Sequence, residues 1–134
     1  MTSLARHTLF PALLRRALLA DAAASLATGL LLVFGGTALH ALLHLPERLM
    51  LYAGLSLLPF AALVAYVATR ERPHRTAIWA VIAYNALWAI DSLVLLASGL
   101  VTPTLLGSAF VIAQAFAVGG FAILQYAGLK QTAG

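Results

Sequence analysis

Two carboxylates stand inside apolar stretches of this chain, Asp21 and Asp91, and they are half of its four acidic residues. A carboxyl group held in hydrocarbon can bind a proton or a cation where water does not compete, so each marks a place where chemistry is possible. Asp91 lies in AIWAVIAYNALWAIDSLVLLASG, residues 77–99. Stepping about 100° per residue, Tyr84, Asn85, Trp88, Asp91 and Ser92 fall within about one third of a helix circumference. Ile82, Ala86, Ile90, Leu93 and Val94 fall opposite. An ionised Asp at mid-span costs about 2.5–3.5 kcal/mol on insertion scales, which predicts that Asp91 faces inward, is paired, or is protonated. Two uses fit it: a polar cavity handling a proton or small solute, or a neutral carboxyl bonded to Asn85 of a partner helix or to a carbonyl.

Asp21, Ala24, Ser25, Thr28 and Gly35 form a second stripe, which reads as a helix contact face. Asp21 sits about one turn inside the first span, within reach of a basic residue such as Arg70 or Arg75. An ion pair is the expected arrangement, and a proton or cation site the alternative. Gln114 shares a stripe with Gly107, Phe110, Ala117, Phe121 and Gln125 and is expected to hydrogen-bond to the third or first span. Tyr52, Ser56, Pro59, Leu63 and Tyr66 share a face of the second span, where they either complete a cavity or pack. His40, His44 and Glu47 have i, i+4, i+7 spacing, which on one continuous helix would suit a metal. Pro46 argues against such a helix, and no fourth ligand is evident, so no metal is expected. No cofactor is expected either. The His residues lie outside the spans, and phosphate-loop, Ser–His–Asp and dinucleotide patterns are lacking. With no cysteine in the sequence, disulfides and thiol chemistry are excluded.

The elements that must position these groups follow from composition. Of 134 residues, 63% are hydrophobic and 9% charged, against about 25% charged in soluble domains. The mean hydropathy is +0.98. The chain reads as one transmembrane domain, an all-α bundle of four spans at about 17–38, 48–69, 77–99 and 104–126. Lipid already solvates apolar side chains, so small-residue packing and interhelical hydrogen bonds must hold the spans together. Pro11 is expected to open a short interfacial helix leading into the first span. A signal peptide is the competing reading of that span; Asp21 interrupts it and no A-x-A site follows. Pro59 is expected to kink the second span. Trp79, Tyr52 and Tyr126 read as interfacial anchors, and Trp88 is too deep for that role.

The sequence pI of about 10.1 does not point to nucleic acid, because the basic residues sit at span ends. Seven of the eight Lys and Arg residues fall in the amino-terminal segment, the second connection and the tail; only Arg48 falls elsewhere. The positive-inside rule then places both termini in the cytoplasm and the spans up-down-up-down. Aligning Asp21 with Asn85 places Thr28 on Ser92 and Gly35 on Gly99 without a gap. The second and fourth spans align more loosely, Pro59 on Gln114 and Tyr66 on Phe121. Two parallel two-helix repeats are one explanation, and chance similarity among Ala- and Leu-rich helices is the other.

The strings LLADAAASLATGLLL, LLPFAALVAY, YNALWAIDSLVLLASG and LQYAGLK resemble small bacterial four-span integral membrane proteins. The resemblance covers most of the chain and implies a bacterial inner membrane; it carries no catalytic residue. The leading functional expectation is a non-enzymatic membrane protein acting through helix association, as a homo-oligomer or an accessory subunit. A small proton-linked carrier or channel using Asp91, Asn85 and Gln114 is the second. Binding of a quinone or lipid-like ligand beside Trp88 and Tyr84 is the third.

Overall fold

The computed structural model describes residues 10–132, which form α1 (Ala12–Phe34), α2 (Gly36–Leu43), α3 (Glu47–Ala68), α4 (Arg75–Ser98) and α5 (Leu105–Lys130). Arg6 and His7 of the basic amino-terminal segment lie outside the described residues. Among the described residues there is no strand. α1, α3, α4 and α5 are long and apolar enough to cross a membrane. At about 1.5 Å per residue each exceeds the roughly 30 Å of a hydrocarbon core.

The first span differs from expectation. It starts earlier, directly after Pro11, and the helix that Pro11 opens runs on without a break into the span. It ends at Phe34, four residues short of the expected boundary. Gly35 leaves the helix with its N–H on the Leu31 carbonyl at 2.7 Å. A Cβ there would lie 2.7 Å from that same oxygen, so the break needs glycine. The chain then coils again as α2, where the sequence reading placed the end of a span and a connection. His44 ends α2 in the left-handed region at φ 55°, and Pro46 precedes α3. α3 and α4 keep close to their expected bounds, and α3 runs through Pro59 without ending. α5 runs one turn further than expected, to Lys130.

α1 packs most extensively on α3, and α4 on α5; α1 also packs on α5, and of the spans that touch, α3 and α4 do so least. Arg15 meets Ala68 while Gly29 meets Gly54, so α1 and α3 run antiparallel. A Cβ on Gly54 would stand 2.9 Å from the Gly29 carbonyl and 2.8 Å from Val33, which shows how closely the two backbones approach. Arg75 meets Leu129 while Trp88 meets Gln114, so α4 and α5 also run antiparallel.

The two ends of the bundle are built differently. At one end, hereafter the basic end, arginines cap helix C-termini. Arg15 donates to the carbonyls of Ala68 and Arg70 at the end of α3. Arg75 donates to the Leu129 carbonyl and the Thr132 hydroxyl at the end of α5. Cations are favoured there because a helix C-terminus exposes unpaired carbonyls and carries partial negative charge. At the far end, the Thr104 N–H and hydroxyl donate to the Leu43 and Leu42 carbonyls of α2 at 3.0 and 2.8 Å. The same hydroxyl accepts the Gly107 N–H and so caps the start of α5.

Candidate functional site

The polar side chains inside the bundle fall at two levels. The level nearer the basic end is a closed layer. Asp21, Asn85 and Gln125 are 1%, 1% and 0% exposed, on α1, α4 and α5 respectively. Asn85 Nδ2 donates to Asp21 Oδ2 at 2.7 Å, and Gln125 Nε2 donates to the same oxygen at 2.8 Å. Ser25 Oγ, one turn along α1, donates to Asp21 Oδ1 at 3.0 Å. Asn85 Nδ2 also reaches Gln125 Oε1 at 3.0 Å. The carboxylate thus accepts three hydrogen bonds, all from neutral groups. No buried side-chain polar atom among the described residues lacks a partner.

This corrects the expected ion pair. Neither Arg70 nor Arg75 reaches Asp21. Arg75 is occupied at the end of α5, and the Arg70 guanidinium lies 5.0 Å from the centre of the Tyr66 ring. The Arg75 guanidinium finds an unpaired carbonyl at a helix end and that of Arg70 an aromatic face, and neither enters the bundle. Gln125 was placed on the Gln114 stripe by periodicity but not singled out as a candidate. The additional turn of α5 sets it deeper than a span ending at Tyr126 would. It, not Gln114, hydrogen-bonds to α1.

The second level lies toward the far end and is open. A cavity of about 400 Å³ is lined by Thr28 of α1, by Trp88, Asp91 and Ser92 of α4, and by Gln114 of α5 among mostly apolar neighbours. Trp88 Nε1 donates to Gln114 Oε1 at 2.7 Å, and Gln114 Nε2 donates to the Val111 carbonyl at 2.9 Å. Ser92 Oγ donates to the Trp88 carbonyl at 2.7 Å. The bonds of all three neighbours therefore go elsewhere than to the Asp91 carboxylate. Asp91 is exposed at the cavity's edge, so of the three arrangements expected for it the inward-facing one is not seen.

The helix explains why. The buried positions of α4 are Ile78, Val81, Ile82 and Asn85, and Asp91 lies about 120° around the helix from Asn85. It shares a broad polar sector with Asn85 without sharing its direction. Tyr84 stands between the two levels. It stacks on Phe60 of α3 at 3.9 Å between ring centres, its hydroxyl bonds to Ser56 Oγ at 2.8 Å, and its ring lies 5.7 Å from that of Trp88. These contacts join α3 to α4 at mid-length. Beyond them, toward the far end, Met50 and Ala53 of α3 face Asp91 and Leu95 of α4 across the cavity.

The remaining candidates fall elsewhere. Ser56, Pro59, Leu63 and Tyr66 point outward on α3, and of that stripe only Tyr52 borders the cavity. His40 and His44 stack at 5.6 Å between ring centres. Their Nδ1 atoms lie 2.7 and 2.9 Å from the carbonyls of Leu45 and Thr102, so they pin the far-end turns. Glu47 does not join them, and no group of three His, Asp or Glu among the described residues converges on one point.

Positions superposed by the internal register hold like places. Asp21 and Asn85 bond to each other, Thr28 and Ser92 both line the cavity, and Gly35 and Gly99 both follow the last residue of a helix. Comparison with protein-family models, curated proteins and solved structures finds no match for this chain.

Proposed function

We propose that this chain is a non-enzymatic, multi-pass protein of a bacterial inner membrane that holds a small solute or a proton in the cavity beside Asp91. One observation carries this reading. A carboxylate whose neighbours Trp88, Ser92 and Gln114 are bonded elsewhere borders a mostly apolar space of about 400 Å³. Ligand cavities typically run about 300–1,000 Å³, apolar with a few placed polar groups. The bundle crosses the bilayer up-down-up-down with both termini cytoplasmic. In support, the basic end carries Arg15, Arg70, Arg75 and Lys130, with Tyr66, Trp79 and Tyr126 beside them as an aromatic belt. The cavity then opens in the outer half of the membrane.

Proton flux into liposomes carrying the full chain, read with an enclosed pH dye, tests this. Asp91→Asn is expected to abolish a pH-dependent flux and leave assembly intact. A variant that loses its assembled state, from a parent that never showed flux, would replace this reading with a second one. In that reading the protein acts through helix association, as a homo-oligomer or an accessory subunit. The many exposed large apolar side chains of the spans, such as Leu55 and Leu63 on α3 and Leu87 and Ile90 on α4, leave room for a second helix surface to pack there.

A further inference from the structure

The cavity's walls restrict what it can hold. Leu32, Leu49, Met50, Leu95, Phe110 and Val111 give it apolar sides, and among the described residues Asp91 is the one charged residue on its lining, with no Arg, Lys or His there. The capping arginines are engaged at the opposite end of the bundle, and Arg48, the basic residue at the far end, is exposed and outside the lining. The hydrogen-bonding atoms of Trp88, Ser92 and Gln114 already serve one another or the backbone. What the site lacks is positive charge, not further hydrogen-bond donors. It also holds aromatic side chains, Tyr52, Trp88 and Phe110, on the same lining as the carboxylate. Aromatic faces attract cations that carry no strong hydration shell. α3 and α4, which pack on each other less than the other touching spans do, both contribute to the lining, so a molecule dissolved in the membrane can enter between them.

We infer that the cavity takes a single organic cation with apolar substituents, of the quaternary ammonium or phosphonium class. Its charge lies against Asp91 and its substituents fill the apolar walls. This rests on the reading of the cavity as a ligand site and names the class of ligand.

The test uses the full chain in dodecyl maltoside micelles, whose headgroup carries neither charge nor amine. Equilibrium dialysis compares tetraphenylphosphonium with tetraphenylborate, two ions of nearly one shape and opposite charge. The expected result is saturable binding of the phosphonium at one site and none of the borate. Asp91→Asn should weaken that binding by about tenfold or more, as loss of one close charge pair requires. Asp91→Glu should restore most of it. Both Asp91 variants should elute from gel filtration as the parent does, since the Asp91 carboxylate accepts no bond from Trp88, Ser92 or Gln114. Equal binding of the two ions, or unchanged affinity in Asp91→Asn, overturns the inference. So does displacement of the phosphonium by added phosphatidylcholine at equal concentration, which would make a lipid headgroup the occupant. If neither ion binds while the Asp91-dependent proton flux persists, the cation assignment fails and the cavity's role in flux stands. If the flux is also absent, both fail.

Discussion

Asp21 on α1 and Asp91 on α4 are the same side chain, yet the bundle surrounds them in opposite ways. Around Asp21, three helices contribute donors: Ser25, Asn85 and Gln125 meet its two oxygens, and the layer is closed to solvent. Around Asp91 the donors turn away. Trp88, Ser92 and Gln114 satisfy one another or the backbone and leave the carboxylate at the lip of a cavity. In a membrane the hydrophobic effect does little to bring helices together, so a satisfied polar layer specifies which faces meet and in what register. An unsatisfied carboxylate adds nothing to that register. It persists in a folded protein where something outside the fold answers it. The difference separates a structural strut from a binding group.

The comparison breaks most readily at Asp21. Replacing it with Leu leaves Asn85, Gln125 and Ser25 without their shared acceptor. Interhelical hydrogen bonds in membranes contribute roughly 0.6–2 kcal/mol each, so Asp21→Leu should cost about 2–4 kcal/mol. Unfolding in mixed micelles with increasing dodecyl sulfate measures this. Asp21→Asn keeps the shape and part of the network and should lose less. A leucine variant as stable as the parent would show that the layer is not the strut described.

The next effect tests the packing that lets the layer close. Gly128 of α5 lies against the backbone of Leu14, where a Cβ would stand 2.8 Å from the Leu14 Cα. Backbone cannot swing aside as a side-chain tip can, so α1 and α5 must part. Gly128→Val should lower stability by about 1–3 kcal/mol through that overpacking. Because Gln125 lies one turn away, it should also loosen the bond to Asp21, and a double variant with Asp21→Leu should lose less than the two losses added. Arg75→Met comes third. It removes the cation from the end of α5 and should cost about 1 kcal/mol, read as a modest fall in the thermal midpoint.

How much of this was legible beforehand differs between the levels. The spans were legible because length and hydropathy are local properties, and α3 and α4 fell within two residues of expectation. Asn85 was placed on the protein-facing side because helical phase is also local. The partners of Asp21 were not, because a charge in apolar sequence suggests an opposite charge. The sequence does not reveal that the arginines have carbonyls to cap. Gln125 shows the same limit from another direction. Its stripe was identified, but its depth depended on one more turn of α5, a boundary effect. α2 was missed because the apolar run continues through Gly35-Gly36, so the first span was carried on to about Ala38 and the rest read as a connection. In the structure the chain breaks at Gly35 and starts a new helix.

The smallest expected effect on stability carries the most meaning. Asp91→Asn should change the unfolding free energy by no more than about 0.5 kcal/mol, the range for positions whose side chain holds no buried contact. Its effect should combine additively with that of Asp21→Leu. The two levels share no hydrogen bond, and Asn85 to Asp91 along α4 is about 9 Å. If instead Asp91→Asn costs as much as Asp21→Leu, then Asp91 is itself a strut, bonded to a group outside the described residues or to a second copy of the chain. Measuring the same variants at two protein concentrations separates those cases, because only a bond between copies makes the cost depend on concentration. A small, additive, concentration-independent cost together with lost cation binding is the one combination that leaves Asp91 as a group kept for something other than the fold.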